Sequence, residues 1–136
     1  GNLGTIIRTC DWFGVDGILL SEGCVSLTNE KVIRSTMGSI FHLPIVENLM
    51  LPDIFHILKQ SGWKVYSTAL EGVHLSKNFH FPPKVVLLLG NEAHGVSSDL
   101  YAMSDIQLTI PSYGKAESLN VSTACSALLM MWRMTK

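Results

Sequence analysis

The sequence predicts an α/β fold built on a mostly parallel sheet, and three observations lead there. Segments with apolar residues at helical spacing alternate with short apolar runs of strand length. One run, Val85 to Leu89, is apolar at every position, as in a strand buried on both faces. The run Asp105 to Ile110 passes through a Pro/Gly loop into a long amphipathic segment, a strand handing over to a helix.

The elements follow in order. Leu3, Ile6, Ile7 and Cys10 repeat at helical spacing, and Gly14 supplies a stop signal. Gly17 to Leu20 is a short apolar strand. Thr28 is suited to cap a helix over Asn29 to Ser39, with a strand near Pro44 to Val46 after it. Leu51 to Gln60 is a third helix, opened by Pro52 in its first turn and closed by Gly62. Lys64 to Ala69 and Lys84 to Leu89 are strands, Ser98 to Met103 a helical turn, and Asp105 to Ile110 the last strand. The final helix covers Leu119 to Met134, with Val121, Ala124, Cys125, Leu128 and Trp132 on one stripe. A parallel sheet whose first visible element is a helix implies a strand upstream, so the first strand is expected to precede residue 1.

Length and composition narrow the function classes. At 136 residues the chain allows one domain with a single good core. Apolar residues make up 47% and charged ones 15%, which excludes a disordered protein. No apolar run is long enough to span a membrane and no signal-peptide pattern opens the chain, so a cytoplasmic location is expected. Ten basic against eleven acidic residues give no general attraction to polyanions, so a nucleic-acid partner would need a local patch or another segment. Cys10, Cys24 and Cys125 have no metal-ligand spacing, and no metal is expected.

Three clusters carry chemistry. Asn2, Gly4 and Arg8 open the first helix; Gly4 and Arg8 share a face at a spacing of four, which would leave room beside the guanidinium. An ordinary cap and a solvated arginine account for the same residues. Gly90-Asn91-Glu92-Ala93-His94-Gly95 follows the apolar strand, where glycines suit close approach of backbone to a ligand. A plain Gly-rich turn explains the glycines but not Glu92. The third cluster is Ile110, Pro111, Gly114, Ser118, Leu119 and Asn120, with more candidate capping groups than one helix start needs. Neither the dinucleotide fingerprint nor the P-loop is present.

Taken in order, N-x-G-x-x-x-R, L-x-x-G-N-E-x-x-G and I-P-x-x-G-x-x-x-S-L-N-V-S resemble the three motifs of the SpoU-TrmH RNA ribose methyltransferases. The resemblance covers nearly the whole chain. It implies an N-terminally truncated methyltransferase domain over residues 1–136, with a substrate-binding domain upstream. It also implies a sheet with helices on both faces and a C-terminal segment threaded into a deep trefoil knot, a topology no sequence pattern would suggest. S-adenosylmethionine would be held in the knot, largely by backbone, from Thr68, Ala69, Gly90, Ile110, Ser118, Leu119 and Asn120. Its methyl group would pass to a ribose 2′-OH of rRNA or tRNA.

The resemblance makes Arg8 essential and completes the site with Asn2, Glu92, Ser118 and Asn120. Its favoured role for Arg8 is the base. Holding a guanidinium neutral at pH 7 costs about 8–9 kcal/mol, so clamping RNA phosphate and positioning the hydroxyl is the easier task. Lys31, Arg34 and Lys115 are further phosphate ligands or solvated charges. No motif supports His42 or His94 as a base. The resemblance further implies a homodimer, for which Trp12 and Trp132 are candidates, with core packing as the alternative for each. Two other readings stay open: a knotted dimer that binds RNA or cofactor without catalysis, and a flavodoxin-type nucleotide-binding domain.

Overall fold

The computed structural model describes residues 2–90 and 95–135. The chain divides into two compact units, Gly1–Leu51 and Pro52–Lys136. Among the described residues every strand pairing is parallel, in a two-stranded ladder in the first unit and a three-stranded ladder in the second. Among the described residues no helix is long and apolar enough to cross a membrane.

In the first unit, helix α1 (Asn2–Phe13) ends at Gly14, whose φ of 71° is left-handed. Gly14 N donates to Asp11 O and Val15 N to Cys10 O, the paired bonds of a Schellman cap. Strand β1 (Ile18–Ser21) pairs with β2 (Ile45–Leu49), and the connection between them carries α2 (Glu30–Thr36) and a 3-10 turn at Ser39–Phe41. Here the structure corrects two expectations. The cap of α2 is Asn29, whose Oδ1 accepts from Lys31 N at 2.9 Å and Val32 N at 3.4 Å, while the Thr28 hydroxyl is bonded to Ser26. The helix also stops short of Ser39, because Met37 turns left-handed at φ 50° and Gly38 follows at φ 90°.

Gly4 is buried where α1 meets α2. A Cβ at Gly4 would overlap Ser35 Cβ and lie 2.6 Å from Val32 O. The glycine is therefore spent on the helix crossing, not on space beside Arg8, which is exposed. Ile7, Cys10, Leu20 and Val32 are buried with it.

In the second unit, α3 (Leu51–Gln60) closes at Gly62 with the same cap geometry: Gly62 N to Lys59 O and Trp63 N to Leu58 O. Strand β3 (Lys64–His74) lies between β4 (Val85–Leu88) and β5 (Ile106–Thr109), with α4 (Ser98–Met103) before β5 and α5 (Val121–Met134) after it. Asp105 fixes the start of β5 to β3: its N donates to Val65 O and its carboxylate accepts from Val65 N, both at 2.8 Å.

The return from β3 to β4, residues 75–84, contains no helix. Leu75, Phe79 and Phe81 cover the sheet instead. They join Tyr66, Leu108, Leu128 and Met131 in one apolar cluster, with Phe79 and Phe81 edge to face at 4.9 Å. β4 is less buried than its composition suggests. Val85, Val86 and Leu87 are half-buried and only Leu88 is buried, because β4 is an edge of its ladder.

Candidate active site at the strand ends

The parallel register brings the ends of β4 and β5 beside the middle of β3, where its pairing with β5 is interrupted. Ser67 pairs with Leu88 on one side and Gln107 on the other, and Thr68 with Leu108. Beyond these pairs Ala69 and Leu89–Gly90 leave the ladder at one edge, and Ile110 follows once Thr109 has paired with His74. Parallel strands present unpaired backbone groups at such an edge, where ligands of α/β sheets bind.

A different device shapes each end. β3 leaves the ladder after Thr68 and rejoins it at Val73, which pairs with the same residue, Leu108, that Thr68 does. Residues 69–72 thus stand off the sheet without advancing along β5. Tyr101 of α4 donates its hydroxyl to Thr68 O at 2.9 Å, and Thr109 of β5 donates its hydroxyl to Ala69 O at 3.1 Å. Gly72 comes so close to Gln107 O that a Cβ there would collide with it. Tyr101 and Thr109 escape a reading of the sequence: their partners are 33 and 40 residues away, and neither belongs to a motif.

At the end of β4, a Cβ on Gly90 would lie 2.5 Å from Val96 N and overlap Gly95. The glycine admits the loop's own returning backbone, and Gly95 takes a φ of 66°. The approach of Gly95 and Val96 thus accounts for Gly90, and its own left-handed backbone for Gly95. Glu92, together with Asn91 and His94, lies outside the described residues. At the end of β5, Ile110 and Pro111 are half-buried, and residues 112–120 are exposed. Asn120 caps α5: its Oδ1 accepts from Ser122 N at 2.9 Å and Ser122 Oγ at 2.6 Å, while its O accepts from Ala124 N. Ser118 and Leu119 are exposed just before this cap. An apolar cavity of about 320 Å³ adjoins this end, lined by Leu75, Ile110, Pro111, Tyr113, Ala127 and Met131. Of the expected cofactor residues only Ile110 lines it; Thr68, Ala69 and Gly90 do not.

The expected residues of the first unit lie on two helices. Asn2 is half-buried at the start of α1 and Arg8 is exposed two turns on, while Lys31 and Arg34 are exposed on α2. Lys115 is exposed in the loop before α5. His42 is bound structurally: its Nδ1 donates to Asp11 Oδ2 at 2.7 Å, and Ser39 Oγ donates to the same oxygen at 2.7 Å. The bonds from His42 and then Ser39 hold the Asp11 carboxyl below the usual carboxylate range. Among the described residues no group of three His, Cys, Asp or Glu is arranged to hold a metal ion.

Parallel strands that lead into glycine, proline and a capped helix start define an α/β domain with a candidate ligand edge. The same strand ends carry the second and third motifs in their order along the chain. The chain belongs to the SpoU rRNA Methylase family, whose model matches residues 1–130. It is 42% identical over 129 residues to the 23S rRNA (guanosine(2553)-2'-O)-methyltransferase RlmP of Bacillus subtilis (strain 168), covering 95% of this chain and 52% of that protein. Among solved structures it resembles the SpoU methyltransferase AviRb from Streptomyces viridochromogenes in complex with the cofactor AdoMet. There the TM-score is 0.87 and the identity 29%, over 96% of this chain and 51% of that one. It also resembles an AdoMet-bound rRNA methyltransferase from Sinorhizobium meliloti, with TM-score 0.85 and 34% identity over 96% of this chain and 50% of that one. The chain spans about half the length of each of these relatives.

Proposed function

We propose that this chain is the catalytic domain of a cytoplasmic, S-adenosylmethionine-dependent RNA 2′-O-ribose methyltransferase acting on rRNA or tRNA. The observation that carries the reading is the register that sets Thr68–Ala69, Leu89–Gly90 and Thr109–Ile110 abreast. The named activity of the Bacillus subtilis relative supports the reaction, and the AdoMet-bound neighbours support the cofactor.

The residues at this edge fit such a cofactor. They offer backbone groups and half-buried apolar surface at Ala69, Leu89 and Ile110, which suits an uncharged purine. Thr68, Ala69, Gly90, Ile110, Ser118, Leu119 and Asn120 would hold it. When bound, S-adenosylmethionine supplies an electrophilic methyl group. The chain's own residues bind the RNA, orient the ribose hydroxyl and help its proton leave. Arg8 is exposed, and a guanidinium matches the geometry of a phosphate, so it clamps an RNA phosphate and positions the hydroxyl. Asn2 and Asn120 orient the hydroxyl or nearby backbone, Glu92 completes the site, and Lys31, Arg34 and Lys115 add phosphate contacts. The C-terminal segment forms the trefoil knot, a reading supported by the likeness to SpoU methyltransferases. The active species is a homodimer, supported by Trp12, which is 83% exposed and so not a core residue.

The test is Arg8→Ala in the full gene product. Transfer should be abolished while calorimetric binding of S-adenosylmethionine is kept, and unchanged turnover would sink the assignment. Mapping 2′-O-methyl sites in cellular RNA with and without the gene identifies the substrate. If the map does not change, the non-catalytic reading takes over.

A further inference from the structure

We infer that Tyr101 and Thr109 are positioning residues for the cofactor edge; the inference rests on the function proposed above. Between Thr68 and Val73, β3 makes an excursion over residues 69–72. A loop of this kind is ordinarily held by burying its side chains, yet Leu70 is 74% exposed and Glu71 and Gly72 are exposed with it. Its anchorage falls on backbone groups.

Four contacts provide that anchorage. Thr68 O, the last carbonyl before the excursion, accepts from the Tyr101 hydroxyl at 2.9 Å. Ala69 O, the first within it, accepts from Thr109 Oγ1 at 3.1 Å. Gly72 is pressed onto Gln107 O too closely to admit a side chain. Leu75 N donates to Thr109 O at 3.0 Å where the chain has rejoined the ladder. Thr109 thus holds both feet of the loop, its side chain at the entry and its carbonyl at the exit. Two of the four contacts are hydroxyl groups, which a single-atom substitution can remove.

A carbonyl that leaves a ladder must find a donor or water. With both carbonyls at the entry satisfied by fixed hydroxyls, the loop is pre-shaped and need not be ordered when a ligand arrives. Neither hydroxyl has to touch the cofactor for this. Tyr101 donates its proton to a main-chain oxygen and is committed there, so it acts through the loop.

The experiment uses the full chain, with Tyr101→Phe and Thr109→Val to delete each hydroxyl and Thr109→Ser to keep it. Each deletion should raise the KM and the calorimetric Kd for S-adenosylmethionine about three- to tenfold, the value of one neutral hydrogen bond, and leave kcat within about twofold. Thr109→Ser should restore wild-type affinity. Amide hydrogen exchange across residues 69–72, measured without cofactor, should accelerate in both deletions and not in Thr109→Ser. Unchanged exchange in Tyr101→Phe and Thr109→Val would overturn the clamp, as would a fall in thermal stability with exchange and affinity for the cofactor unaltered. If wild-type protein bound no S-adenosylmethionine, the proposed function would fail while the exchange measurement still decided whether the hydroxyls fix the loop. Should Tyr101→Phe not fold, the valine and serine variants at Thr109 decide alone.

Discussion

Gly4→Ala adds one methyl group at the crossing of α1 and α2, and its effect follows from two opposing terms. In an isolated helix the change is favourable by about 0.8–1.0 kcal/mol, since alanine is the better helix former. At this crossing the new Cβ would overlap Ser35 Cβ and sit 2.6 Å from Val32 O. Neither neighbour is the far end of a flexible side chain, so relief requires the helices to move apart. Overpacking of that kind costs about 1–3 kcal/mol, and contact with a main-chain oxygen puts it towards the upper end. The net expectation is a loss of about 2 kcal/mol, read as a lower urea midpoint at unchanged m-value. Ser35→Gly removes one of the two obstacles, so Gly4→Ala should cost less in that background. A Gly4→Ala protein as stable as wild type would refute the crossing argument. If it were also inactive, the glycine would be clearing room for Arg8 after all.

Three more outcomes follow from single residues. Ser67 is fully buried in β3 and its hydroxyl has no hydrogen-bond partner among the described residues; Ser67→Ala should therefore leave stability unchanged or raise it by up to about 1–3 kcal/mol in chemical denaturation, and a clear loss would reveal a partner. Asp11 has its folded pKa lowered by His42 and Ser39, so its stabilisation is complete above the unfolded value of 3.8 and lost as pH falls through the folded one. Asp11→Asn should thus lower Tm at neutral pH and converge on wild type below that window; a difference independent of pH would remove the linkage. Asn120→Ala should cost about 0.5–2 kcal/mol through its lost cap, whereas Asn120→Asp keeps the cap, and methyl transfer that survives in Asn120→Asp would confine Asn120 to capping.

The elements most legible in the sequence are those whose ends have a chemical mark. Gly14 and Gly62 close α1 and α3 with the same pair of bonds, and Pro52 opens α3 within its first turn. Where two adjacent residues offer the same chemistry, a sequence cannot choose. Thr28 and Asn29 both carry capping side chains, and the selection of Asn29 depends on Ser26 already engaging the Thr28 hydroxyl. β3 was hidden further, since residues 69–74 follow no alternating pattern. They are held by hydroxyls of α4 and β5 and by the close approach of Gly72.

The site was legible as motifs and less so as roles. A motif records that certain residues are required together, not which requirement each one meets. Gly4 serves a helix crossing and Gly90 the return of its own loop. Asn120 commits its oxygen to the start of α5. Each of these three residues belongs to a local frame, Gly4 beside α2, Gly90 after β4 and Asn120 at the start of α5. Substituting them will therefore impair activity whether or not they touch a substrate. Separating frame from chemistry requires variants that keep one and remove the other: Asn120→Asp for the cap, and Ser35→Gly as the background for Gly4→Ala. Arg8 differs from all three because it is exposed and caps no helix. An activity lost in Arg8→Ala with stability intact can be charged to the reaction itself.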